Sequence, residues 1–169
     1  MDINVSGDGW LTWTATGGHA RRVRCAVGNG GVADKRHEGD GITPIGRWPL
    51  RQCHVRTDRL EIPQTGLALR PITEADGWCD DATSDDYNRL VTLPLDASHE
   101  AMWRADGLYD IVIEVGYNDD PVVPGRGSAI FMHIAKPYYA PTEGCVALNM
   151  ADMLDLLRDC DATTLLLIG

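Results

Sequence analysis

The feature that most limits how this chain can fold is the shortness of its apolar runs. Almost every run is closed by Gly, Pro, Asn or Asp before a helical period can establish itself. Trp10 to Thr14, Arg22 to Val27, Arg47 to Val55, Leu67 to Leu69 and Tyr109 to Tyr117 read as strands, several with period-two alternation. Gly28-Asn29-Gly30-Gly31 and Asp40-Gly41 read as turns. One helix is predicted, with Asn149 as N-cap, Asp152 three residues on, and an apolar stripe of Met150, Met153, Leu154 and Leu157 ending near Arg158. Thr163 to Ile168 then reads as a buried strand, and Ser98 to Trp103 as a helical turn or two. The expected fold is mainly β: a β-rich α+β domain, a mixed β-sandwich or barrel-like sheet with one or two flanking helices. No internal repeat or linker divides the chain, so residues 1-169 are expected to form one domain, large enough to bury a core.

Charge and cysteine usage narrow the function classes. A formal net charge of −10 disfavours nucleic acid as a partner, because phosphate neutralisation needs a basic face. No run approaches the ~20 apolar residues of a membrane-spanning helix. The segment Met1 to Gly9 is acidic and lacks the apolar stretch of an export signal, which fits a cytoplasmic protein or one exported by other means. Five cysteines stand at Cys25, Cys53, Cys79, Cys145 and Cys160. None has CxxC spacing, which excludes a zinc ribbon or a thioredoxin-type motif. Cys53 and Cys79 are a conceivable pair only in an oxidising compartment, and Cys160 reads as packing. The aspartates Asp76, Asp80, Asp81, Asp85 and Asp86 lack the spacing of a calcium loop and read as turn caps. His19, His37, His54 and His99 are scattered and read as surface or structural residues. No metal and no cofactor is called for, and a monomer is expected.

The chemistry concentrates near the end of the chain. Cys145 lies in Pro141-Thr142-Glu143-Gly144-Cys145-Val146-Ala147-Leu148, where a turn runs into an apolar strand. Twelve residues earlier, His133 lies in the strand-like run Ser128-Ala129-Ile130-Phe131-Met132-His133-Ile134. A cysteine beside apolar residues is most often a buried small hydrophobe. Here Gly144 gives the backbone freedom for N–H groups to converge, Thr142 offers a hydroxyl to hold the turn, and a short hairpin would return Cys145 beside His133. Those are the parts of a Cys–His nucleophile, with Gly144 and Cys145 as oxyanion-hole donors. The group that would orient His133 has no signature; a backbone carbonyl suffices.

The runs Gly127 to His133 and Pro141 to Leu148 resemble the YkuD-type L,D-transpeptidase catalytic domain, whose signature is a His, a variable loop, then Ser/Thr-x-Gly-Cys and an apolar residue. The resemblance extends to Gly41-Ile42-Thr43-Pro44-Ile45-Gly46, and to Gly77-Trp78-Cys79-Asp80-Asp81 with Tyr87-Asn88, which look like a proteobacterial branch. It implies a mixed β-sandwich and an acyl-enzyme on peptidoglycan stem peptides. Cys145 would attack a donor stem, His133 would carry protons, and an acceptor amine would resolve the thioester. Two positions depart from the family pattern: Glu143 stands where many members have His, and Ala147 where they have Arg. Arg126 or Arg47 is a candidate replacement for that cation, though each reads more readily as a solvated surface residue. Thr142, Trp78 and Tyr138, with Tyr139, are the further substrate-binding candidates, the aromatics also being readable as core. Pro121, Pro124, Pro137 and Pro141 would give the site stiff rims, leaving 3-3 and 1-3 cross-links both in view. The partners implied are stem peptides and glycan, and the compartment is the periplasm. An L,D-carboxypeptidase or amidase on recycled muropeptides, then cytoplasmic, and a silent peptidoglycan-binding module are the competing readings.

Overall fold

The computed structural model describes residues 1–169. In chain order the elements are β1 (Asp2–Ser6), β2 (Trp10–Thr14), β3 (Ala20–Arg24), β4 (Val32–Ala33), β5 (Thr43–Pro44), β6 (Gly46–Val55), β7 (Ala68–Pro71) and β8 (Asp76–Cys79). They continue with β9 (Leu90–Thr92), β10 (His99–Ala101), β11 (Ile111–Val115), β12 (Phe131–Ile134), β13 (Val146–Leu148), α1 (Met150–Leu157) and β14 (Leu165–Ile168).

One large mixed sheet runs in the order β13-β12-β11-β6-β14-β1-β2-β3, with β7 added beside β6. Its two ends nearly meet. Just past β3, Ala26 and Ala147 of β13 exchange backbone hydrogen bonds of 2.8 and 2.9 Å. The sheet is therefore almost closed on itself, which leaves few unpaired edges. A small antiparallel sheet, β10-β8-β9, lies apart from it.

β11 and β12 carry a different core on each face, as their period of two requires. Ile113 and Met132 enter the main core with Ile3, Leu11, Leu156 and Leu166. Val112 and Phe131 face a smaller cluster with Ile72, Trp78, Met102, Tyr109 and Cys145. His133 pairs in register with Val112 and with Ala147 and therefore shares the Phe131 face. Helix α1 has the bounds and the cap its sequence foretells, but Leu156 joins its buried face while Met150 and Leu154, expected on the apolar stripe, are half-buried. The Asn149 side chain accepts the Asp152 N–H at 2.9 Å, and Met153, Leu156 and Leu157 are buried.

Three expectations change. β12 and β13 are parallel, so a crossing connection, not a hairpin, brings Cys145 beside β12. Ser98 to Trp103 holds the strand β10 instead of helical turns, because His99 to Ala101 pair with Gly77 to Cys79. The run at Ser128 becomes a strand only at Phe131, since Ala129 sits at a φ of 53°, outside the extended region.

Candidate active site

Cys145 sits directly before β13 and is 8 % exposed. Two backbone groups of the neighbouring segment fix its sulfur. The Phe131 N–H donates to Sγ at 3.4 Å, and the thiol donates to the Ala129 carbonyl at 3.2 Å. Burial pushes the thiol up to about 12, the nearby Glu100 charge adds to that, and the Phe131 N–H opposes it. At neutral pH the resting group is a thiol, not a thiolate.

The turn before it is braced by Thr142. Its hydroxyl donates to the Cys145 carbonyl at 2.7 Å and accepts the Gly144 N–H at 3.1 Å. Gly144 has a φ of +131°, and a Cβ there would lie 2.8 Å from the Ile42 carbonyl oxygen. Only glycine fits that turn. The same geometry corrects the expected oxyanion hole. The Gly144 N–H is already committed to Thr142, whereas the Cys145 N–H has no partner within the protein.

His133 is 6 % exposed. With its proton on Nδ1, the ring donates to the Ile134 carbonyl at 2.9 Å, which leaves Nε2 as an acceptor. A backbone carbonyl thus orients the imidazole. Burial brings the ring down from its ordinary 6.5 to about 4, partly offset by the Ile134 hydrogen bond and aided by Arg104 and Lys136. The Tyr109 ring packs edge-on at 5.3 Å between centroids, and its hydroxyl donates to Glu100 at 2.6 Å. No hydrogen bond joins His133 to Cys145; the sulfur's partners are Ala129 and Phe131, and the ring's is Ile134.

Both side chains open into one polar cleft of about 510 Å³. The segment after β4 gives one wall with Lys35, Glu38 and Gly39, while Asp80, His99 and Glu100 from β8–β10 give another. Arg104, Leu108, Tyr109, Ser128, Ala129, Lys136, Thr142 and Glu143 complete it. Lys35 is held by Asp40 at 2.5 Å and Arg104 by Asp106 at 2.5 Å. Lys136 is exposed and forms no ion pair, so it is the cleft's uncommitted cation.

Of the other residues singled out in the sequence, Thr142 lines the cleft, though its hydroxyl is occupied by the turn. Arg126 is exposed outside the cleft, on the loop whose backbone carbonyl accepts the Tyr117 hydroxyl. Arg47 projects from β6 into a separate pocket with Asn4, Asp8 and Trp10, and pairs loosely with Asp2 at 3.8 Å. Neither arginine replaces the cation absent at Ala147. Trp78 lies beneath the site, edge-on to Phe131 at 5.0 Å, and Tyr138 is fully exposed at a φ of 58° without lining the cleft. Pro137 and Pro141 lie in the segment between Lys136 and Thr142, while Pro121 and Pro124 belong to a loop that does not border the cleft. His99 and Asp80, read from sequence as structural, both line it. Arg104 and Lys136 were not singled out. Lys136 carried a signal in its closeness to His133, and Arg104 carried none.

The family model of the L,D-transpeptidase catalytic domain, YkuD, matches residues 2–168 of the chain. No curated protein and no solved structure matches it.

Proposed function

This chain belongs to the YkuD family of L,D-transpeptidase catalytic domains, and on that premise we propose that it is a cysteine acyltransferase acting on peptidoglycan stem peptides. The observation that carries the reading is that one cleft holds both the Cys145 thiol and a neutral His133 with a proton-accepting Nε2.

The depressed imidazole and raised thiol favour a neutral pair over a preformed ion pair, so the proton moves as the bond forms. A shift of the Cys145 side chain takes the S–H from the Ala129 carbonyl toward Nε2. Sγ then attacks a donor carbonyl while His133 takes the proton. The developing oxyanion meets the free Cys145 N–H; a donor of this kind is typically worth ~2.7–4 kcal/mol. The tetrahedral species collapses with cleavage of the C–N bond, and His133 returns the proton to the departing amine. An acceptor amine next attacks the thioester, His133 takes its proton, and the thiol is regenerated with a new amide formed. Lys136, lacking an ion pair, receives a substrate carboxylate. The product is a cross-link of the 3-3 or 1-3 type, and such a substrate places the protein in the periplasm.

Incubation with purified muropeptides followed by mass spectrometry tests the reading. Cross-linked dimers are the expected result. Loss of an amino acid without dimers would instead indicate hydrolysis, and unchanged muropeptides would indicate a binding module.

A further inference from the structure

The sulfur of Cys145 is positioned by Ala129 and Phe131, and Ala129 holds a conformation that its side chain disfavours. Its φ is 53°, in the left-handed region. A non-glycine residue there costs roughly 1–3 kcal/mol unless its surroundings hold it. The group that holds it is Asn88. Its Oδ1 accepts the Ala129 N–H at 3.0 Å and the Trp78 Nε1–H at 3.0 Å. Its Nδ2 donates to the Tyr117 carbonyl at 3.1 Å and the Asn118 carbonyl at 2.8 Å. All four hydrogen-bonding capacities of the amide are used, and the residue is 7 % exposed. Asn88 itself sits at a φ of 56°, which asparagine tolerates better than most residues.

We propose that Asn88 is a positioning residue for the nucleophile: by clamping Ala129 in the left-handed conformation, it aims the Ala129 carbonyl and the Phe131 N–H at Cys145 Sγ. This rests on the acyl-transfer reading only in naming Cys145 the nucleophile. The geometry has a direct consequence. When the clamp is released, Ala129 relaxes to a negative φ, its carbonyl swings away, and the thiol loses both its resting acceptor and its fixed rotamer. Trp78, in edge contact with Phe131, is tied to the same amide, so the floor beneath the sulfur depends on one side chain.

Two variants separate positioning from mere support. Asn88→Ala removes the clamp, and Ala129→Gly removes the need for it, because glycine adopts positive φ without penalty. Turnover on muropeptides and iodoacetamide alkylation of Cys145 across pH, located by peptide mass, are measured beside thermal melting. In Asn88→Ala, kcat is expected to fall about tenfold or more with KM little changed, and the pH profile of alkylation to shift. Adding Ala129→Gly is expected to restore most of the alkylation profile and of kcat. Asn88→Ala with a lower melting temperature but an unaltered profile, or a double variant no better than the single one, would overturn the proposal. If Asn88→Ala does not fold, Ala129→Val decides. It keeps Asn88 but strains the same φ, and an unchanged alkylation profile there would equally overturn the proposal. Alkylation needs no substrate, so it reports on the clamp even if the acyl-transfer reading fails.

Discussion

The two faces of β11 and β12 hold two kinds of buried cysteine. On one side the main core takes in Cys25, Cys53 and Cys160; on the other, Cys145 closes a smaller cluster beneath the cleft. Cys53, Cys160 and Cys145 are all pushed up to about 12, chiefly by burial, so acidity does not tell them apart. What differs is the company. Cys145 has two backbone hydrogen-bond partners, a free N–H of its own, a neutral imidazole in the same cleft, and carboxylates, two lysines and an arginine along the walls. A thiol becomes a nucleophile through what surrounds it when it reacts, and the resting proton affinity of a buried sulfur says little about that.

Removing one sulfur from each face separates the two kinds of cysteine. Cys145→Ala is expected to abolish transfer while the melting temperature stays near wild type. Cys160→Ala is expected to leave turnover intact and to cost about 1 kcal/mol in stability, measured by denaturant unfolding. Equal losses of turnover would erase the distinction.

His133→Gln comes next, with an expected fall in kcat of roughly 10²–10⁴-fold. Its pH signature is equally specific. The folded ring titrates near 4 and the unfolded one near 6.5, so the unfolded chain binds more protons between those values. Stability is therefore complete above about 6.5 and declines as pH falls toward 4, by up to about 3 kcal/mol from this group. His133→Gln should flatten that part of the unfolding curve. Cys145 acts at the other end. Its raised value means that stability is lost as pH rises from about 9 toward 12, a loss that Cys145→Ala should reduce.

A smaller effect separates the cleft's cation from those outside it. Lys136→Ala is expected to raise donor KM several-fold, with alkylation of Cys145 unchanged, as the loss of one exposed charge contact of about 1 kcal/mol implies. Arg126→Ala and Arg47→Ala should leave steady-state kinetics within error of wild type, since neither side chain reaches the cleft.

The sequence carried some of these features openly and others not at all. Strand periodicity and the capping of α1 depend on neighbouring residues, and most strands and the helix could be read from them. β1 shows the same alternation, with Ile3 and Val5 buried, but those are its only apolar residues, set among the polar Asp2, Asn4 and Ser6. The parallel pairing of β12 with β13 is a matter of chain crossing, which local pattern does not encode. The Thr142-Glu143-Gly144-Cys145 turn was legible because its residue types are dictated by one tight bend. The cleft walls were not. Glu38, Asp80, Glu100 and Arg104 meet there only through tertiary packing, and Arg126, near His133 in sequence, is carried off by its loop. Gly144 shows how a local reading can identify the residue and misassign its donor: the glycine is required, but its N–H serves the turn.

Cys145, alone among the five cysteines, is expected to become acylated. Intact-mass spectrometry of the protein incubated with a donor stem peptide and no acceptor tests this most directly, with peptide mapping to locate the adduct. A single adduct on Cys145, equal in mass to the donor less its departing amino acid and removed by adding an acceptor amine, is the expected result. An adduct on Cys79 or Cys160, or transfer that persists in Cys145→Ala, would contradict it.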